Sequence, residues 1–145
     1  MSPNTLRLLW NSARWLLLLV AITPLLYIGG VYYPFIVPKV IYFRTLIELV
    51  AVLLVSYAVY TREGLHLAIF KKKITLVPLV FLGFSYLSAL VGLDFYHSFW
   101  SIFERMDGLV TLTHLIAYFY AVLLVFNKED WHKFFVINGV VAVLV

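Results

Sequence analysis

Cysteine is absent from this chain, which excludes a disulfide framework and any thiol chemistry. Charge is scarce. Asp, Glu, Lys and Arg together make up 12% of the 145 residues, against roughly 25% in a soluble domain. The four histidines are scattered and no two share a metal-binding helix spacing, so no metal or other cofactor is expected. No internal repeat or low-complexity segment breaks the chain into units. What is abundant is oil. Apolar residues reach 64% and mean hydropathy is +1.01. A chain this short cannot hide that much apolar surface in a water-soluble fold, so it belongs in a lipid bilayer.

Four apolar runs approach the ~20 residues that cross ~30 Å of hydrocarbon: 15–33, 43–60, 74–92 and 109–126. Pro24 and Pro78 fall inside two of them. Proline is tolerable there if neighbours satisfy the carbonyl it frees. Arg7 and Arg14 precede the first run as in a signal peptide, but bulky "YIGGVYY" follows it where a small-residue cleavage site would stand. A retained helix is therefore expected. A fifth run, 133–145, is too short to cross alone, and a carboxylate ending in hydrocarbon is costly. The sequence is thus expected to be the N-terminal piece of a longer protein. The fold class is all-α: a polytopic transmembrane helical bundle, four complete spans plus the start of a fifth.

Net charge is +4, and its distribution points to membrane orientation rather than to nucleic acid. Eight of the eleven Lys and Arg residues lie in the amino terminus (Arg7, Arg14), the second loop (Arg62, Lys71, Lys72, Lys73) and the fourth connector (Lys128, Lys133). Lys39, Arg44 and Arg105 lie on the other side. The positive-inside rule then puts the amino terminus, the second loop and the fourth connector in the cytoplasm. His66 and His132 fall on the cytoplasmic side as well. Trp15, Tyr27, Tyr32, Tyr33, Tyr60 and Trp131 fall near the expected interfaces, as aromatic belts do.

The third connector, "DFYHSFWSIFERMDG" (94–108), holds most of the mixed charge. On a helical wheel over 97–106, His97, Ser98, Ser101, Glu104 and Arg105 share an arc of roughly 120°. Phe99, Ile102, Phe103 and Met106 lie opposite, with Trp100 at the border. The pattern predicts a short interfacial amphipathic helix between spans three and four, apolar face down. Asp94 can cap its start, and Asp107-Gly108 can end it. The connector is read either as a plain link with a solvated face, or as a vestibule. In the second reading His97, Glu104, Arg105 and Asp107 meet a polar or anionic headgroup, arginine suiting phosphate through its planar fork of donors.

Two further places carry polar groups inside apolar runs. Arg44 and Glu48 are spaced i, i+4 and share a helix face. They form either a local ion pair, or an inward-facing arginine that meets a phosphate while Glu48 holds it. His114 lies early in span four with Thr111 and Tyr118 on its face, a trio suited to interhelical hydrogen bonds. Acid–base chemistry at His114 has no visible partner in the sequence. The "KKK" of 71–73 reads as an orientation signal.

The stretch "GLDFYHSFWSIFERMDGLVTLTHLIAYFY" (92–120) resembles the early region of the O-antigen ligase and polymerase family. The matching positions are Gly92, Asp94, Ser98, Phe99, Trp100, Glu104, Arg105, Asp107, Gly108 and Leu109. "KVIYFRTLIELV" is similar to that family's second helix, with Arg44 and Glu48 in the matching places. The resemblance covers residues 25–140. It implies a polytopic inner-membrane enzyme that moves a glycan from a polyprenyl-pyrophosphate carrier to an acceptor, as ligase or as polymerase. It also implies partners: membrane lipids, the carrier-linked glycan, and the remaining helices of the full-length chain. The family's catalytic histidine and phosphate-binding arginines sit in later helices and a large outward loop, so no catalytic residue carries over. The substrate-facing candidates are Arg44, Glu48, His97, Glu104, Arg105, Asp107 and His114. The competing reading is a non-enzymatic multi-pass membrane subunit or transporter component.

Overall fold

A computed structural model describes residues 3–61, 73–102 and 104–145. Arg62, His66, Lys71, Lys72 and Phe103, named above, lie outside the described residues. All regular structure among the described residues is helical: α1 (Pro3–Leu19) continued by a 3-10 segment (Val20–Leu25), α2 (Val37–Thr61), α3 (Lys73–Val91), α4 (Phe95–Trp100), α5 (Leu109–Val125) and α6 (Lys128–Leu144).

The α1 helix begins twelve residues before the expected span and the 3-10 segment ends eight residues before its expected end. Asn4, Arg7, Asn11 and Arg14 recur at helical spacing, so the polar start is one stripe of an amphipathic helix rather than a flank. The other end is set by backbone chemistry. Pro24 has no N–H to give Val20, and the Thr23 hydroxyl takes that carbonyl instead at 2.6 Å. The chain then leaves the helix through Gly30, at φ 86°, and Tyr33, at φ 57°. The left-handed region is open to glycine and unusual for tyrosine.

Helices α2, α3 and α5 lie close to their expected runs, with α2 starting earlier, where Pro38 occupies its first turn. There a missing N–H costs nothing. Helix α6 begins at Lys128, five residues before the apolar run. Its start is a reciprocal cap. Asn127 accepts from the Asp130 N–H at 2.9 Å, and Asp130 accepts from the Asn127 N–H at 3.0 Å.

The helices alternate in direction. Trp10 on α1 packs against Tyr57 near the far end of α2, and the Tyr42 hydroxyl near the start of α2 donates to Leu19 at the end of α1. Arg44 and Glu48 on α2 meet Thr111 and His114 on α5, so these two run parallel. Helix α3 is antiparallel to α5: Tyr86 bonds Thr113, and Tyr120 donates to the Thr75 carbonyl. Arg14 on α1 pairs with Asp130 at the start of α6. Pro3, Thr61, Lys73, Val125 and Lys128 therefore share one end of the bundle. Leu25, Val37, Val91, α4 and Leu109 share the other.

The packed core lies between α1, α2 and α5, around Ala13, Leu17, Val20, Phe43, Ile47, Val50, Leu54, Val122 and Val125. Ala13 is fully buried, and its small side chain lets neighbouring backbones approach, which is how helices associate where lipid removes the hydrophobic drive. Pro3–Leu25, Val37–Thr61 and Lys73–Val91 are long and apolar enough to cross a membrane. Helix α5 has 17 residues, about 26 Å at ~1.5 Å per residue, and falls just short. Helix α6 carries Lys128, Glu129, Asp130, His132 and Lys133 in its first two turns. Three of the four complete spans expected thus meet the requirements of length and composition.

Candidate functional site

The polar groups of the apolar bundle gather where the start of α2 faces the start of α5. One Arg44 nitrogen donates to the Met106 carbonyl at 3.1 Å and to the Thr111 hydroxyl at 2.5 Å. Thr111 in turn donates to the same Met106 carbonyl at 2.5 Å. The three groups form a closed clasp holding the end of the third connector to α2. Arg44 Nε is enclosed and has no hydrogen-bond partner among the described residues, so the guanidinium keeps unused donor capacity.

One turn along, Glu48 Oε1 stands 3.3 Å from His114 Nε2. His114 Nδ1 lies 2.7 Å from the Val110 carbonyl. A carbonyl only accepts, so the ring bonds Val110 through a protonated Nδ1 and turns Nε2 toward the carboxylate. His114 is mostly enclosed, with its side chain 18% exposed, while that of Glu48 is 67% exposed. The carboxylate is the member open to the surroundings.

This corrects the expected Arg44–Glu48 ion pair. The two residues share a face, but the hydrogen-bond contacts of Arg44 go to Met106 and Thr111 and that of Glu48 to His114. The expected His114, Thr111 and Tyr118 trio is split. His114 and Thr111 make interhelical bonds, while the Tyr118 hydroxyl is enclosed without a partner among the described residues.

The connector is also rearranged. The expected 97–106 helix is instead α4, Phe95–Trp100. Asp94 caps it, accepting from the His97 N–H at 2.9 Å. It stops because Ser101 turns to φ 64° and its hydroxyl donates to Asp107 at 2.6 Å, folding the chain back toward α5. Gly108 closes this fold, its Cα so near α4 that an added Cβ would stand 2.4 Å from the Phe99 carbonyl oxygen. Glu104 and Arg105 consequently lie in an exposed turn rather than on the helix with His97. His97, Glu104, Arg105 and Asp107 are all exposed, and among the described residues no ion pair joins them. They do not converge on a vestibule. An open cleft of about 600 Å³ does lie between α3, α4 and α5, lined by Ser85, Ser88, Ser98, Asp107 and Phe84 among others.

The sequence reading missed Asp130, the most enclosed charge among the described residues at 1% exposed, 3.1 Å from Arg14 Nε. The contact is charge pairing without hydrogen-bond alignment, since Nε has no hydrogen-bond partner. The spacing Asn127-x-x-Asp130 carried the signal, a reciprocal capping pattern ahead of an aromatic run.

Comparison with protein-family models, with curated proteins and with solved structures returned no match.

Proposed function

We propose that this chain is the membrane-embedded N-terminal part of a glycan transferase of the O-antigen ligase and polymerase type. It would sit in the inner membrane with its amino terminus in the cytoplasm, α5 and α6 crossing with the help of the protein's remaining helices. The reaction is attack by an acceptor hydroxyl on the sugar carbon bearing the pyrophosphate, with polyprenyl pyrophosphate leaving. The catalytic groups belong to later parts of the protein. This portion supplies a wall, and Arg44 supplies donors to the leaving phosphate. The carrying observation is the Arg44 clasp: an arginine with spare donors, inside an apolar bundle, tied to the charged connector at the end expected to face outward. An arginine within a membrane-spanning helix is by default a functional-site candidate.

Arg44→Gln in the full-length protein is expected to weaken carrier-glycan binding about tenfold or more, the scale of one charged hydrogen bond. Arg44→Lys should recover part of it. Unchanged donor affinity in Arg44→Gln rejects the reading. Orientation has its own check. A periplasm-active reporter fused after Glu104 should be active, and the same reporter fused after Asn127 should be silent; the reverse pattern removes the outward-facing wall.

A second reading, a non-enzymatic multi-pass subunit or transporter component, draws on α3, which buries only Thr75 and Ala89 and so offers its flanks to partner helices. A stable assembly made by the 145-residue chain, indifferent to carrier-linked glycan, favours it.

A further inference from the structure

A second recess is lined by none of the residues of the Arg44 cluster. The 3-10 segment Val20–Leu25 packs against α6 and α2, and a groove of about 370 Å³ lies between it, α2, α5 and α6. Its depth is oily, walled by Val20, Phe43, Leu115 and Phe134. Its polar lining residues are Thr23, Lys39, Tyr118 and Asn138. Lys39, in the first turn of α2, lines the mouth and has no ion-pair partner among the described residues. Asn138 on α6 also lines it. One amide N–H of Asn138 goes to the Phe134 carbonyl at 2.8 Å, which leaves a second N–H.

We propose that this groove holds one anionic, ester-linked glycerophospholipid, its phosphate on Lys39, an ester carbonyl on the free Asn138 N–H, and an acyl chain running inward over Phe43 and Phe134. The charge of the mouth selects the headgroup. A partly enclosed ammonium without a counter-ion favours a lipid carrying net negative charge over a zwitterionic one. The amide selects the linkage. An ester carbonyl accepts from Asn138, whereas a polyprenyl phosphate has a phosphate and a hydrocarbon tail with no carbonyl between them. The groove therefore belongs to a bilayer lipid and is separate from the carrier site of the proposed reaction.

The test uses the full-length protein, delipidated in uncharged detergent and titrated with phosphatidylglycerol, its diether analogue, phosphatidylcholine or a polyprenyl phosphate, with bound lipid counted by native mass spectrometry. Phosphatidylglycerol should bind best. Lys39→Gln should weaken it about fivefold, as expected for one cation beside an anionic lipid, and Lys39→Arg should keep it. Asn138→Leu should erase the preference for ester over diether lipid. Leu115→Trp, which fills the groove without touching a charge, should abolish binding. Equal binding of phosphatidylcholine, tighter binding of polyprenyl phosphate, or no response to Lys39→Gln each overturns the proposal. So does a cross-link from Leu115 to a second copy or to another helix seated in the groove.

Discussion

Arg14→Leu is expected to destabilise the bundle by about 3–4 kcal/mol, the range for stranding one member of an enclosed ion pair. The reason is asymmetry. Asp130 is 1% exposed, whereas the Arg14 side chain is 28% exposed. Without Arg14 the carboxylate stays trapped, because its bond from the Asn127 N–H anchors it inside the first turn of α6. Without Asp130, Arg14 can swing its head toward water along its long apolar stem. Asp130→Asn, which keeps a polar group at the cap, should therefore cost less, about 1–2 kcal/mol. The double variant should be more stable than the sum of the two losses implies, with a coupling of about 1–3 kcal/mol. Reversible unfolding in mixed micelles, followed by far-ultraviolet circular dichroism, measures all three. Strict additivity would mean that Arg14 and Asp130 contribute independently and that α1 and α6 are held by packing alone.

Gly108→Ala should have a comparable effect for an unrelated reason. Gly108 has φ −66°, which any residue adopts, so backbone freedom is not at stake. Space is. A Cβ there would stand 2.4 Å from the Phe99 oxygen and 2.7 Å from the Trp100 carbonyl carbon. Both are backbone atoms that cannot rotate away. Either α4 lifts off α5 or the bundle carries strain of about 1–3 kcal/mol or more. Lifting α4 breaks the Ser101–Asp107 bond and moves Met106, to which Arg44 is tied. Gly108→Ala should thus lower the unfolding midpoint and, on the function proposed above, also reduce carrier-glycan binding. Gly83→Ala, which meets nothing within 4 Å, is the control and should do neither. A Gly108→Ala protein with native stability would show that α4 and α5 are not in close contact.

The helices legible in the sequence were those whose whole length is apolar and whose flanks are polar. Helices α3 and α5 fell within a residue or so of their hydropathy limits for that reason. The starts of α1 and α6 were hidden because averaging hydropathy cancels an amphipathic turn. The stripe Asn4, Arg7, Asn11, Arg14 and the Asn127–Asp130 cap needed periodicity and spacing instead. The connector misled in the opposite sense. Its residues suit a helix over 97–106, but a long-range backbone approach at Gly108 and a side-chain bond at Ser101 override local preference. At the candidate site the residue types were readable and their pairing was not. Spacing along one helix says that Arg44 and Glu48 share a face, and is silent on which neighbour that face meets.

The two hydroxyl links between α3 and α5 stand near opposite ends of α3, Thr75 bonded by Tyr120 and Tyr86 bonded to Thr113. A helix fastened at both ends keeps its depth in the bilayer even when little of its circumference is covered. Sliding α3 by one turn, about 5.4 Å, would part Tyr86 from Thr113 and carry Thr75 away from Tyr120. The links thus oppose piston-like travel of α3 more than a sideways tilt.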